Sequence, residues 1–427
     1  MLNLFQYWLL FCFVYFYYIY LMILRFVFFF LFFSLIVHAQ EKDSLVLKNG
    51  IDKPNTTTAH HFGLFHMRIN QNFKERPVNK TSLSFTLESA NSFHPFVEMY
   101  QPLDLAERER LSQQIWYNRD FQFIDQATTP ADYSNIHIDA VFKVFRFDLE
   151  TKISEKHELK FTARTFMPTK GNFPFTIFTN DQSIEWFHSN IAGGEDPFGR
   201  RFFGMNQMTV EYTDRNNRTL SLNNNQPIFA GVEVNHFYYP DFFKPEKNIF
   251  INLGSHLGIN TSKYNPSLDL GISANIHKKW ELENKNEFRV GLGFSGLRKG
   301  IIRYGDPIEF GNNLFLGSGE LNVEFTKYTR KGNYHAFSAN YQLQTRYSKN
   351  KEREYYVLDG GTTWQDTNAG WHNGFSTLYE TLTVWSILYT YGREKSAISL
   401  YIQQDFKLNN APDLETGISL KIPISNK

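Results

Sequence analysis

The residues most able to do chemistry lie in one short stretch, Asn180 to Arg201, which reads NDQSIEWFHSNIAGGEDPFGRR. It gathers Asp181, Glu185, His188, Glu195, Asp196, Arg200 and Arg201 around a Gly-Gly turn. Three chemistries could use them. His188 could serve as a general base beside Ser189 and Asn190, the residue types of a lipid hydrolase. Adjacent residues of an extended chain point to opposite faces, however, and a base must come within about 3 Å of its nucleophile. Asp181, Glu185, Glu195 and Asp196 could offer oxygens to Ca²⁺, but their spacing matches no known calcium loop. The third reading, a loop pinned by carboxylate–arginine pairs over Phe187 and Phe198, takes most of the weight. No cofactor or metal is expected, and His188 is the one catalytic candidate.

The elements that must position this stretch are alternating segments. Residues 268–277 read LDLGISANIH, apolar at every even position and small or polar at every odd one. Phe337, Ala339, Tyr341 and Leu343 likewise alternate with Ser338, Asn340, Gln342 and Gln344. Period-2 alternation belongs either to a sandwich with one wet face or to a membrane barrel with lipid outside and a polar lumen. Many segments here exceed ordinary sandwich strands, which run ~5–6 residues, and reach the length that crosses a bilayer on a tilt. Aromatics gather at segment ends, as in His236-Phe237-Tyr238-Tyr239 and Tyr389-Thr390-Tyr391, resembling interfacial girdles.

The pattern predicts an all-β, transmembrane antiparallel outer-membrane barrel of about fourteen strands, or twelve if two weak segments fail. The first expected strands cover 62–70, 80–90 and 95–101, with a turn at 91–94. Within the long connection 168–225, Gln207–Thr213 and Arg218–Leu222 flank Asp214 to Asn217 as a β-hairpin. The charges expected to face the lumen are Lys143, Lys160, Arg164, Asp269, Arg289, Glu324, Arg346, Asp405 and Lys421, of both signs, which points to weak ion selectivity.

The first 39 residues decide compartment. Arg25 is their only charge, an apolar run extends from Phe26 to Val37, and Val37-His38-Ala39 offers a processing site. The pattern is expected to be a secretory signal with Met22 as the start it implies; the alternative is an inner-membrane anchor made of the apolar segments 5–24 and 26–37, the second of which is short for a span. Residues 40–61 are then expected as a periplasmic segment and 62–427 as the barrel. Beyond the leader the chain carries 43 basic and 43 acidic residues, a balance that argues against nucleic acid as a partner. The single cysteine, Cys12, is in the leader, which excludes thiolate chemistry and disulfides from the processed protein.

Residues from about 80 to 240 resemble an uncharacterised family of Gram-negative outer-membrane β-barrels, a domain of unknown function. The segments carrying the likeness are LESANSFHP (87–95), HIDAVFKVFRFD (137–148), ELKFTARTFMP (158–168) and DQSIEWFHSNIAGGEDPFGRR (181–201). In the last, Asp181, Ile184, His188, Gly194 and Arg200 match the family's acidic–apolar–aromatic–His segment and its glycine–arginine end. The leader ending in Ala-Gln and the Phe/Tyr/Asn-rich body also look like exported proteins of the Bacteroidetes type. The resemblance implies a barrel and no activity. The expected function is binding or passage of an unidentified small molecule through a partly plugged lumen, with outer-membrane lipid as surroundings. The alternatives are a lipid hydrolase using His188 and a structural or secretion-accessory barrel whose loops dock partners.

Overall fold

The computed structural model describes residues 48–54, 60–100, 133–172, 175–192, 200, 204–214, 216–241, 247–347, 356–357, 381–405 and 411–424. The expected leader, Glu195, Asp196 and Arg201 lie outside the described residues.

Twelve strands form a closed antiparallel wall. In chain order they are β1 (Ser82–Tyr100), β2 (Tyr133–Ser154), β3 (His157–Thr169), β6 (Ile228–Tyr238), β7 (Ile249–Asn260) and β8 (Ser267–Glu281). The other half comprises β9 (Glu287–Arg303), β10 (Phe315–Tyr328), β11 (Tyr334–Gln344), β13 (Leu382–Arg393), β14 (Ser396–Asp405) and β15 (Leu414–Pro423). Sequence neighbours pair around the wall, and β1 closes it by pairing with both β2 and β15. A hairpin of β4 (Thr209–Thr213) and β5 (Thr219–Ser221) continues the sheet beside β2 beyond the end of β3. A two-residue strand, β12 (Tyr356–Val357), pairs with the far end of β1.

Most wall strands obey the alternation read from the sequence, but inside out relative to a soluble protein. In β8, Leu270 and Ile272 are exposed while Asp269, Ser273, Asn275 and His277 are buried. In β11, Phe337 and Leu343 face out and Ser338, Asn340, Gln342 and Gln344 face in. Closure leaves no unpaired strand edge, which is what lets such an apolar exterior sit in hydrocarbon where no water can satisfy the backbone. No described helix is long and apolar enough to cross a membrane. The chain is therefore a membrane-spanning barrel crossed by strands.

The tight connections β2–β3, β8–β9, β10–β11 and β13–β14 share one end, the short-turn end; most longer connections lie at the other. The girdle signal is half right. His236 and Tyr238 stack outside on His157, and His335 packs on Tyr389 and Tyr391, all at the short-turn end. Phe237 and Tyr239, in contrast, are buried inside.

Two readings change the strand number from fourteen to twelve. The turn expected at 91–94 is instead part of one long strand, β1, whose ladder with β2 shifts register between His94 and Val97. The strand expected over 62–70 is not in the wall; it contains a 3₁₀ turn, Gly63–Phe65, and extended chain on the inner side of the sheet. The hairpin expected around Asp214 forms, with Asp214 accepting from the backbone N–H groups of Asn216 and Arg218 at 2.8 and 2.9 Å. Its buried Val210, Tyr212 and Leu220 point towards the barrel mouth.

Candidate functional site in the barrel lumen

The lumen holds a strap made of the chain's own residues 48–54 and 60–78. Residues 48–54 and 60–61, from the stretch 40–61 expected as a periplasmic segment, are part of it. The strap begins at the short-turn end, where the Lys48 backbone N–H donates to the Tyr328 hydroxyl at 3.1 Å. One limb ascends: Lys48 pairs with Glu324 at 2.6 Å and Lys53 with Glu320 at 2.6 Å. At the long-loop end it turns through a cluster of rings. His60 stacks on Tyr347 at 3.9 Å, and Phe62 packs against Tyr212 and Phe310, each at 4.9 Å. Tyr212 also donates to the Glu309 carbonyl at 2.7 Å, so the β4–β5 hairpin and the β9–β10 connection meet over those rings as a roof.

The second limb descends. The Met67 N–H donates to Asp269 at 3.0 Å, Arg68 reaches Gln342, and Asn72 donates to the Tyr239 hydroxyl at 2.8 Å. Lys74 then sits between Glu158 at 2.6 Å and Glu150 at 2.9 Å, and Glu75 pairs with Arg289 at 3.1 Å. The two limbs touch through a bridge between Ile51 and Phe73.

Glycines in the wall make room for this limb. Met67, Ile69, Gln71 and Phe73 alternate towards the inner faces of β7, β8 and β9, where Gly258, Gly271, Gly293 and Gly291 stand. A Cβ at Gly258 would come within 2.6 Å of the Met67 Cβ, and one at Gly291 within 2.9 Å of the Phe73 ring. A Cβ at Gly271 would strike Ile69, and one at Gly293 would strike Gln71. The alternation in 62–70 that suggested a wall strand is thus real; it serves an extended chain lying on a glycine-smoothed floor.

The expected lumen charges Lys160, Arg164, Asp269, Arg289, Glu324, Asp405 and Lys421 occupy inner-face positions. Arg164 donates to the His66 carbonyl of the strap at 2.6 Å and pairs with Glu233 at 2.8 Å. Two expectations fail. Arg346 follows the end of β11 and is exposed. Lys143 shares a face with the exposed Phe147 and so lies on the outside of the wall, buried there by residues 175–176. What the sequence reading missed is the strap; four inward glycines on adjacent strands were its only trace.

The described members of the constellation, Asp181, Glu185, His188 and Arg200, do not enter the lumen. Helix α1 (Asp181–Phe187), capped by the Asn180 side chain accepting from the Ser183 N–H at 2.8 Å, lies over the outer face of β1 and β2. Asp181 and Arg200 come together there at 3.3 Å, both buried, with Asn91 bonded to each and Asp413 3.2 Å from Arg200. Glu185 is buried beside them, and Ser189 lies 3.5 Å from its carboxylate. His188 follows α1 in a wider π-helical turn, half-buried with its ring edge-on to Phe187. Neighbours in a helix do not face each other, so the turn aims Ser189 away from the imidazole. No group of three metal-ligating side chains occurs among the described residues.

A closed membrane-spanning barrel whose lumen carries its own chain is the class these features define. No family model matches the chain, and no curated protein matches it. Among solved structures it is similar to an outer membrane channel from Pseudomonas putida F1 (TM-score 0.36, 7% identity, 84% of this chain and 100% of that one). It is also similar to the transport unit of the autotransporter AIDA-I from Escherichia coli (TM-score 0.35, 7% identity, 85% and 94%). A FadL homologue from Pseudomonas aeruginosa shows the same level of likeness (TM-score 0.30, 7% identity, 82% and 91%). The barrel itself rests on the closed ladder, not on these similarities.

At the mouth, outside the spanning strands, burial pushes the imidazoles of His60, His61 and His66 well below their ordinary range. Neighbouring His61 and Lys299 add to this at His60, His94 at His61, and Lys299 at His66. The docked strap therefore binds fewer protons than a released one. Its docking is fully stabilised above about pH 6.5, the ordinary imidazole value, and weakens as pH falls below it. Solute flux through vesicles carrying the protein is expected to rise between pH 7.5 and pH 5; a flat profile would contradict this coupling.

Proposed function

We propose that the protein is an outer-membrane channel, gated by its own strap, that passes small polar solutes when residues 48–54 and 60–78 leave their docked position. The observation that carries this is the strap itself, held along both limbs by ion pairs and hydrogen bonds to the inner wall. A filler needed only for packing would be better made of apolar side chains, because desolvating ion pairs offsets much of their attraction. Charged contacts suit a segment that must also be stable in a hydrated lumen after release. The inner wall mixes acidic and basic groups, which supports weak charge preference among solutes.

The same proposal places the short-turn end in the periplasm, as short turns inside and long loops outside is the outer-membrane arrangement. It includes export by a cleavable leader ending at Ala39, lipid around the wall, and the resemblance of residues 80–240 to an uncharacterised Gram-negative barrel family. The test is liposome swelling with the barrel lacking residues 48–78, its folding checked by heat-dependent gel mobility. Small sugars and salts of either sign are expected to enter. A folded, strapless barrel that admits none of them would overturn the channel.

A further inference from the structure

The wall has a polar patch on the side that should meet lipid. Ser89, Asn91, Lys143 and Thr416 share their strand faces with Phe85, Phe147 and Ile418, which are exposed, yet all four are buried. Phe294 stands as far along β9 from Glu287 as Ser89 does along β1 from Ser82, and Phe294 is 63% exposed. A polar surface at that height must be covered.

The cover is made of residues 171–172, 175–192, 200 and 204–206. Lys143 donates to the Ser89 and Thr176 hydroxyls at 2.6 and 2.7 Å and to the Phe175 carbonyl. Ser89 bonds Thr179 at 2.5 Å, and Thr416 donates to the Ile177 carbonyl at 3.1 Å. Asn91 bonds Asp181 at 2.9 Å, and the Arg200 guanidinium lies 4.8 Å over the Phe93 ring. Thr176, Thr179 and Asp181 of the cover thus meet polar groups of the wall. Its outer side carries most of its exposed apolar groups: Ile177, Phe178, Trp186, Phe187 and Ile191 are exposed, Trp186 by 58% and Phe178 by 63%, beside the exposed polar Gln182, Ser189 and Asn190.

We infer that this segment is a lipid-facing flap, docking its apolar side into the acyl chains of the leaflet nearest the long loops while its polar side shields the wall patch. The inference rests on the membrane barrel proposed above. Lipid is the occupant favoured because the exposed side chains continue the apolar band of the wall across β15, β1 and β2, where the wall's own residues are polar. A flap of this kind lets the wall carry Lys143 at bilayer depth with its amine satisfied by hydroxyl and carbonyl oxygens.

The test uses the full chain with Cys12→Ser, carrying Phe187→Cys or Ile191→Cys labelled with an environment-sensitive fluorophore. Leu400→Cys on the outer wall and Asn284→Cys in the β8–β9 turn serve as references. In vesicles of acyl-brominated phosphatidylcholine, both flap probes are expected to be quenched about as strongly as Leu400→Cys and to be insensitive to aqueous iodide. Iodide quenching at the level of Asn284→Cys would overturn the flap. Protection from both quenchers, the mark of a protein partner or a second copy on this face, would also overturn it. Failure of lipid quenching at Leu400→Cys would overturn the barrel reading along with the flap, which separates the two.

Discussion

Gly258→Trp and Gly293→Phe are expected to unseat the strap and leave the full-length barrel constitutively permeable. Both glycines lie on the inner face exactly where alternate strap residues touch the wall, and even a Cβ is too close at either. Neither the β-ladder behind them nor the strap's ion pairs in front can give way by a whole ring. Overpacking of this kind costs about 1–3 kcal/mol at one site. Set against a docked state favoured by a few kcal/mol, that shifts the balance of docked to released strap by roughly 5- to 150-fold. Planar-bilayer recordings should show long openings in both variants. Gly319→Ala, whose nearest neighbour is the Phe294 ring at 3.6 Å on the outer face, should behave as the parent. Closed traces from a folded Gly293→Phe barrel would mean that the strap does not seat where described.

Glu324→Gln is expected to release the ascending limb with the largest effect of any single charge change. Its carboxylate holds Lys48 at 2.6 and 2.8 Å, accepts from the Asp52 N–H at 2.9 Å and from Ser338 at 2.8 Å, and stands 3.6 Å from Arg289. The amide keeps the volume but removes the charge, leaving Lys48 with only the part-exposed Asp52 carboxylate at 3.3 Å and the Gly50 carbonyl, and weakening the attachment of Arg289. Breaking a buried pair by removing one partner costs about 3–5 kcal/mol, because the remaining charge is left desolvated. Part of that cost disappears if the strap leaves and Lys48 regains water, so release is the favoured response. Limited trypsin digestion reads it directly: cleavage after Lys48 should accelerate by about tenfold or more relative to the parent. Unchanged cleavage would show that the limb is held by its other contacts alone.

Much of the wall was legible because each strand buries one face only. Leu268 to His277 and Phe337 to Gln344 keep parity along their whole length, and the structure keeps it too. Legibility failed where a second layer of chain covered the sheet. Lys143 was read as lumen-facing because a charge on the lipid side makes no sense for a bare wall; counting parity from Phe147 would have put it outside. Asn91 and Ser92 looked like a turn between two strands because a polar pair interrupts an apolar pattern. In β1 that pair instead serves two covers at once: Asn91 meets Asp181 of the flap, and Ser92 meets His61 of the strap at 2.8 Å. The loop was expected to be pinned by carboxylate–arginine pairs over Phe187 and Phe198; Asp181 and Arg200 do come together, on the outer face, while Phe187 is exposed. The strap stayed hidden for a physical reason: its partners Glu320, Glu324, Glu150 and Asp269 are scattered over remote strands, and no local pattern links Lys48 to Glu324.

The account stands on the strap controlling passage, and locking it is the direct measurement. Lys53→Cys and Glu320→Cys together remove one ion pair, whose ends meet at 2.6 Å, without leaving a lone charge, and place two thiols facing each other across the gap the longer side chains had spanned. With Cys12→Ser, and joined by a short reducible thiol cross-linker, these sites should hold the ascending limb against β10. The account predicts that cross-linked protein in vesicles passes no sugar even at pH 5 and that reduction restores flux. Sugar entering at the same rate with the strap locked as with it free would contradict the account.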